Sequence, residues 1–234
     1  MAMGDFSNVL GSEFVGDHST FVIAAHELKA PISLIRQLAF EIETSATLND
    51  DQLKLLHQIS LVSEKSLRLT SNITKSARLD DSLFESEPVN AQQLCEDVAH
   101  ELWPLYKAHQ REIRVAKRRK PPLVIANREL LYRILLSFGD NSLHYASRSP
   151  AQFTVTSKDN KVLVGLRDSG PIVGSARLKD NSPFISGRPN GSGLGLAIAQ
   201  RFADTMGGTI GSTKHRDGMT FYVSINPSVQ MSLL

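Results

Sequence analysis

The sequence is poor in cysteine, in tryptophan and in long apolar runs. The 234-residue chain has one cysteine, Cys95, so it can form neither an internal disulfide nor a paired-thiolate zinc or redox site. Its apolar runs are much shorter than the roughly 20 residues of a membrane-spanning helix, and its first residues lack the pattern of a signal peptide. These absences indicate a reducing compartment and predict no membrane span within this chain.

The sequence also has nearly equal numbers of basic and acidic residues. The formal net charge is +2 with neutral histidines, and 21% of the residues are charged. A protein whose main task is to neutralise nucleic-acid phosphates carries a far more basic balance. The one compact basic run, "KRRK" at 117–120, precedes two prolines and is interpreted as a solvated strand end. We therefore expect no nucleic-acid partner.

The first region of the chain carries a seven-residue apolar repeat. Phe21, Leu28, Ile35 and Ile42 share one heptad position, which is typical of a bundle helix. Helix-start residues follow at 49–51, and a second amphipathic stretch runs to about residue 73. One such antiparallel helical hairpin offers too little partner surface for its apolar stripe. Two copies are expected to pack as a dimeric four-helix bundle.

The region after this hairpin mixes helices with short strands. A linker is predicted up to Pro88, so that a helical domain covers 1–82 and a second domain covers 88–226. The patterns predict helices over 91–109, 128–145 and 194–206, and strands over 113–116, 123–125, 153–156, 162–167, 209–213 and 219–225. A hairpin turn is expected at Asp159 and Asn160. The second domain is thus predicted to be an α/β sandwich of the α+β class, one sheet with helices on one face.

A candidate nucleophile lies on the first helix. In the segment "HELKAP", which begins at His26, the heptad places His26 and Glu27 off the apolar stripe and towards solvent. A neutral imidazole is nucleophilic near physiological pH, and an adjacent carboxylate can take the proton released from its other nitrogen. An exposed nucleophile on a rigid helix suits a reaction in which separate molecules approach it in turn, which indicates a phosphoryl relay.

The second domain carries residues suited to a nucleotide. The segment "GSGLGLAIAQ" places Gly191, Gly193 and Gly195 at the start of a helix, where free backbone amides favour phosphate. Asp168 ends a strand and can accept a hydrogen bond from an amino group such as that of adenine. Asn141 offers a carbonyl oxygen to a hard cation such as Mg²⁺. Each of these features alone is equally typical of an ordinary turn or linker, but their order along the chain is distinctive.

In that order, "HELKAP", "GDNSLHYA", "RDSG", "GSGLGLAIAQ" and "GGTIGS…DGMTF" resemble the H, N, G1, G2 and last glycine-containing boxes of bacterial sensor histidine kinases. The resemblance covers roughly residues 20–225. It implies a dimerisation and phosphotransfer hairpin followed by an ATP-binding domain of the type shared with Hsp90 and gyrase. We therefore expect a cytoplasmic protein, or the cytoplasmic portion of a membrane-bound sensor.

The resemblance also implies roles for individual residues. His26 attacks the γ-phosphate of ATP, with Glu27 as general base and Lys29 nearby, and the phosphoryl group then passes to an aspartate on a response-regulator receiver domain. Asp168 reads adenine, and Asn141 binds Mg²⁺. The remaining implied nucleotide contacts are His144, Tyr145, Gly170, Arg188, Gly191, Gly193, Leu194, Gly195, Leu196 and Thr220.

Several positions depart from the family pattern. Ser137 stands where the N box usually has a further asparagine, His144 stands where lysine is usual, and Ile172 replaces the second glycine of the G1 box. We therefore predict slow or conditional autophosphorylation. Ala30 occupies the position of the Thr or Asn that commonly orients water for dephosphorylation, which predicts weak phosphatase activity. The alternative hypothesis is a pseudokinase or phosphotransfer scaffold that binds nucleotide weakly or not at all.

Overall fold

The computed structural model divides the chain into two compact units, residues 1–82 and 83–234. The residues that it describes are 18–45, 47–77, 79, 84–145, 150–169 and 194–228.

The first unit is a helical hairpin, as the sequence predicts. Helix α1 (His18–Ser45) and helix α2 (Asp50–Ala77) each contain 28 residues and pack against one another. Asn49 begins the second helix through a reciprocal capping box. Its Oδ1 accepts a hydrogen bond from the Gln52 amide at 2.9 Å, and its own amide donates to Gln52 Oε1 at 3.0 Å. Near the same end, His57 Nε2 lies 3.0 Å from Glu43 Oε1 and links the two helices.

The packing within the hairpin uses a different stripe from the one expected. Ala25 and Ala39 on α1 and Leu56 on α2 are buried, whereas the heptad residues Leu28 and Ile35 remain 54% and 49% exposed. Small residues thus let the two helices approach each other, while the larger apolar residues form a separate stripe. The prediction that a second copy buries the stripe of Leu28 and Ile35 is compatible with this exposure, since a single hairpin leaves the stripe uncovered.

The second unit combines three helices with seven short strands among its described residues. The elements in chain order are β1 (Glu87–Asn90), α3 (Ala91–Ala108), β2 (Ile113–Val115), β3 (Leu123–Ala126), α4 (Arg128–Tyr145), β4 (Ala151–Lys158), β5 (Lys161–Asp168), α5 (Leu194–Thr205), β6 (Thr209–His215) and β7 (Gly218–Ile225). The predicted helices and strands are confirmed, with bounds that differ by at most a few residues.

The strands form two sheets, not the single sheet that was predicted. The larger has the order β2-β4-β5-β7-β6, parallel between β2 and β4 and antiparallel elsewhere. The smaller pairs β1 with β3. Strand β1 includes Pro88, so the predicted linker extends too far. An edge strand tolerates proline because its missing amide has no ladder partner to lose.

The β4–β5 connection is the predicted two-residue hairpin turn. Asp159 and Asn160 have φ values of +50° and +57°, as a type I′ turn requires, and their side chains tolerate this conformation well. The turn fixes the register so that Val164 lies opposite Val155 on one side and Val223 on the other. All three of these valines are buried, and they mark the face of the sheet that packs against the helices.

Candidate functional site

The candidate nucleophile lies on the exposed side of α1. His26 and Glu27 are both exposed, Lys29 is half-buried, and Ala30 is exposed one turn after the histidine. Ala25, next to His26, is buried against the hairpin, so the backbone that carries the imidazole is fixed by packing. The geometry thus presents the imidazole to solvent from a rigid helix, as the heptad predicts.

Asp168 is the last residue of β5, and its side chain is only 7% exposed. It lies directly opposite Met219 on β7, which is 1% exposed. The backbones approach closely here, since a Cβ added to Gly218 would stand 1.9 Å from the Asp168 carbonyl oxygen. Glycine at 218, with φ of +156°, therefore allows β7 to begin beside this carboxylate.

Thr220 lies on the other face of the sheet. It pairs with Arg167 and not with Asp168, and side chains alternate between faces along a strand. Its hydroxyl is 2.8 Å from His215 Nε2 on the same side. Met219, and not Thr220, therefore shares a face of the sheet with the Asp168 side chain, and a nucleotide contact of Thr220 stays a prediction. The His215–Thr220 contact was not found from the sequence.

Helix α4 and the start of α5 are joined at Ser137. Its hydroxyl donates a hydrogen bond to the Gly195 carbonyl oxygen at 3.3 Å, and a Cβ at Gly195 would stand 3.3 Å from the same hydroxyl. Ser137 therefore holds the first turn of α5 against α4. Asn141 follows one turn after Ser137 on α4 and is half-buried.

The remaining predicted nucleotide contacts are only partly covered by the structure. His144 and Tyr145 belong to the last turn of α4, and Leu194, Gly195 and Leu196 belong to the first turn of α5. The first amides of α5 have no intrahelical acceptors, as at every helix start. Gly170, Arg188, Gly191 and Gly193 lie outside the described residues.

Tyr106 and Arg111 form a buried cluster beside the end of α4, which was not predicted from the sequence. Tyr106 on α3 is fully buried and donates a hydrogen bond from its hydroxyl to the Gly139 carbonyl oxygen at 2.9 Å. Arg111 is 8% exposed, and its Nη1 donates to the Ser142 carbonyl oxygen at 2.7 Å. The guanidinium carbon of Arg111 lies 5.3 Å from the centroid of the Tyr106 ring, within cation–π range.

The electrostatics of Tyr106 place the end of β5 near this cluster. Burial raises the pKa of Tyr106 to about 12, and the neighbouring Ser142 side chain and the charge of Arg111 oppose that rise. The carboxylates of Asp168 and Asp140 add to the raised pKa. The last turns of α4 and the end of β5 therefore lie close to the same phenol.

The donor set fits an adenine nucleotide. Asp168 provides a mostly buried carboxylate acceptor, the α5 start provides backbone amides, and Asn141 provides an amide oxygen on α4, the helix that Ser137 bonds to α5. Among the described residues, no group of three His, Cys, Asp or Glu side chains is arranged to hold a metal ion. No described helix is both long and apolar enough to cross a membrane.

Comparison with protein families finds a match to an ATPase family. Residues 126–229 match the family described as Histidine kinase-, DNA gyrase B-, and HSP90-like ATPase. This segment contains α4, β5, α5 and β7, the four elements that carry Asn141, Asp168, Gly195 and Met219.

Curated relatives match over most of the chain. The sensor protein CutS of Streptomyces coelicolor is 27% identical over 206 residues, which cover 83% of this chain and 49% of CutS. The sensory histidine kinase/phosphatase NtrB of Rhizobium meliloti is 28% identical over 221 residues, which cover 85% of this chain and 56% of NtrB. The chain thus spans about half the length of these relatives.

Solved structures share the fold. Full-length ShkA in complex with AMPPNP aligns with a TM-score of 0.65 at 24% identity, covering 92% of this chain and 47% of ShkA. The histidine kinase AdeS of Acinetobacter baumannii aligns with a TM-score of 0.55 at 17% identity, covering 86% of this chain and 97% of AdeS. These two structures confirm the predicted fold, and the relatives CutS and NtrB carry the similarity to sensor proteins and histidine kinases.

Proposed function

We propose that this chain, which is similar to sensor histidine kinases and matches an ATPase family over residues 126–229, autophosphorylates His26 from ATP. It then transfers the phosphoryl group to an aspartate of a response-regulator receiver domain. The observation that carries the proposal is the exposed His26, followed by Glu27, in the same chain as residues that match the ATPase family.

The chemistry at His26 is a nucleophilic displacement. A neutral imidazole nitrogen of His26 attacks the γ-phosphorus of ATP, a nitrogen–phosphorus bond forms, the bond to the β-phosphate oxygen breaks, and ADP leaves. Glu27 takes the proton from the other ring nitrogen as the ring becomes phosphorylated. Exposure of the imidazole matters because first ATP and then a receiver domain must reach the same atom.

The nucleotide domain contributes positioning and charge. Asp168 accepts a hydrogen bond from the adenine amino group, and the first amides of α5 face the phosphates. Asn141 would hold Mg²⁺ through its side-chain carbonyl oxygen, and the ion would neutralise phosphate charge. The buried Met219 beside Asp168 gives the base an apolar neighbour.

The hairpin is proposed to form a homodimer. Its exposed apolar stripe lines a groove of about 350 Å³ between α1 and α2, whose lining includes Ile32, Ile35, Leu55, Ile59 and Val62. Leu55 and Val62 are 60% and 62% exposed in the single chain. Packing of a second hairpin against this stripe removes that apolar surface from water and forms a four-helix bundle.

Kinase activity is proposed to be slow or conditional, and phosphatase activity weak. The hydroxyl of Ser137, which replaces an asparagine of the family pattern, is bonded to the Gly195 carbonyl oxygen. Ser137 therefore supports α5, whereas an asparagine at this position could offer an amide oxygen to a cation. Ala30 offers no polar group to orient a water molecule near His26.

The same departures favour the second candidate, a phosphotransfer scaffold with weak or no nucleotide binding. Thermal unfolding with ADP and Mg²⁺ separates the two candidates. A ligand at 100 times its dissociation constant stabilises a protein by about 2.7 kcal/mol, so a nucleotide-binding chain shows a clear rise in Tm. No rise at millimolar ADP favours the scaffold.

Autophosphorylation is tested with γ-labelled ATP and Mg²⁺. The wild type is expected to gain acid-labile label slowly, and His26→Ala is expected to gain none. His57→Ala is the matched control, since His57 is another exposed histidine of the hairpin and is expected to keep the label. Equal labelling of the wild type and His26→Ala contradicts the proposal.

A further inference from the structure

We propose that Arg111 is a positioning residue of the nucleotide site, which holds the last turn of α4, and with it Asn141, in the geometry that binds ATP and its metal ion. The inference rests on the proposed function. It assigns a role to a residue outside the motifs and outside the segment that matches the ATPase family.

The position of Arg111 is set by the end of α3. The Gln110 amide donates to the Lys107 carbonyl oxygen at 2.9 Å, and the Arg111 amide donates to the Tyr106 carbonyl oxygen at 2.9 Å. Together with the φ of +53° at Gln110, these two bonds form a Schellman motif. The backbone of Arg111 is therefore held in place by hydrogen bonds that do not involve its side chain.

The Arg111 side chain reaches the backbone near the C-terminal end of α4. Ser142 lies three residues before Tyr145, the last residue of α4 as the structure describes it. The guanidinium donates to the Ser142 carbonyl oxygen at 2.7 Å, a charge-assisted bond at the negative end of the helix. Because the residue is 8% exposed, water screens this bond very little.

Asn141 lies between two backbone carbonyl groups of α4 that accept hydrogen bonds from buried side chains. Tyr106 bonds the Gly139 carbonyl oxygen two residues before it, and Arg111 bonds the Ser142 carbonyl oxygen directly after it. The Arg111 guanidinium also contacts the Tyr106 ring, so the two side chains that bond α4 support each other. Helix ends fray readily, so a ligand in the penultimate turn of α4 needs this restraint to hold one orientation.

Groups that support a metal ligand from outside the coordination sphere have a recognisable energetic effect. Their loss typically lowers metal affinity or activity by about 10- to 100-fold although every ligand remains. Arg111 is expected to act in this way. Its removal should weaken the binding of nucleotide together with Mg²⁺ more than the binding of nucleotide alone.

The test compares Arg111→Met, Arg111→Lys and Arg114→Met. Arg114 is the matched control, since it lies three residues later and is exposed beside Glu112. The dissociation constant of a fluorescent trinitrophenyl-ATP is measured with Mg²⁺ and with chelator, and urea unfolding defines conditions in which each variant is folded.

For Arg111→Met we expect an increase of at least about tenfold in the dissociation constant with Mg²⁺, and an increase of less than about threefold with chelator. Arg111→Lys keeps the charge but lacks the planar fork, so partial rescue is expected. Arg114→Met should match the wild type.

The inference is overturned if folded Arg111→Met binds nucleotide with Mg²⁺ as tightly as the wild type. It is also overturned if affinity falls equally with and without Mg²⁺, since that pattern indicates general loss of structure. If the wild type itself binds no nucleotide, the proposed function fails and the inference fails with it. The measurement on the wild type therefore separates the two failures.

Discussion

The hydroxyl of Tyr106 on α3 donates a hydrogen bond to the backbone carbonyl oxygen of Gly139 on α4, at 2.9 Å. The bond is fully buried and joins two helices that also approach each other closely at Leu102 and Gly139. A single contact thus links helix packing to the part of α4 that precedes Asn141. The stability of this contact, and its dependence on pH, can be measured directly.

Tyr106→Phe is expected to lower the free energy of unfolding by about 1 kcal/mol at pH 8, since a buried hydrogen bond is lost. The difference should shrink at high pH. The pKa of Tyr106 is raised from 10 to about 12, so the unfolded wild type loses this proton first as pH rises above 10. The wild-type free energy of unfolding therefore falls by about 1.4 kcal/mol per pH unit between pH 10 and about pH 12, so its advantage over the variant should vanish near pH 11 and then change sign.

Urea unfolding of both proteins between pH 8 and pH 11 measures this effect, and the difference between wild type and variant isolates the phenol from other titrating groups. A constant difference across the range would show that the phenol titrates alike in the folded and unfolded states, contrary to the burial of its ring.

Gly139→Ala is expected to destabilise the second unit by about 1–2 kcal/mol. The new Cβ would stand 2.1 Å from Leu102 Cδ1, and overpacking of a buried helix contact outweighs the better helix propensity of alanine. In a Leu102→Ala background the clash is absent, so the same substitution should become neutral or stabilising. Thermal unfolding of the four proteins of this double-mutant cycle gives the coupling, and additive effects would refute the close approach.

Gln110→Gly is expected to raise the free energy of unfolding by about 0.5–1 kcal/mol. Gln110 has φ of +53° at the end of α3, a conformation that costs a side-chain-bearing residue more than glycine. Gln93→Gly, the same change in the first turn of α3, is the control and should lower stability. If both substitutions lower stability equally, the left-handed conformation at Gln110 is not the relevant factor.

Ile35→Asp is expected to shift the protein from dimer to monomer. Ile35 is 49% exposed in the single chain and lines the groove between α1 and α2. A charge buried in a dimer interface without a partner costs several kcal/mol. Gln37→Asp introduces the same charge at an exposed position of α1 outside that groove and should leave the mass unchanged. Sedimentation equilibrium measures both, and a monomeric wild type would contradict the proposed bundle.

Local patterns predicted most of the second unit. Helix α4 runs over Arg128–Tyr145, as the apolar spacing predicts, and Asn127 caps it by accepting a hydrogen bond from the Leu130 amide at 3.1 Å. Strand β1 was missed because it is short, contains Pro88 and is defined by pairing with the distant β3. Non-local pairing of this kind leaves little trace in the residues themselves.

The positions of candidate-site residues follow from the sequence where they depend on motifs and not where they depend on packing. Asp168 ends its strand as expected, whereas Thr220 lies on the opposite face of the sheet from Asp168, since a shift of one residue along a strand reverses the direction of its side chain. Arg111 carries no sequence signal. Charged residues are usually exposed, and its burial depends on α3, α4 and a left-handed turn at a glutamine.

The central claim, that His26 receives a phosphoryl group from ATP, is tested most directly by locating that group on the chain. The purified protein is incubated with ATP and Mg²⁺, digested at neutral or alkaline pH to preserve phosphohistidine, and analysed by mass spectrometry. The account predicts a phosphoryl group on His26, absent from His26→Ala and retained by His57→Ala. Phosphorylation at another residue, or none on His26 while the protein binds ATP, would contradict it.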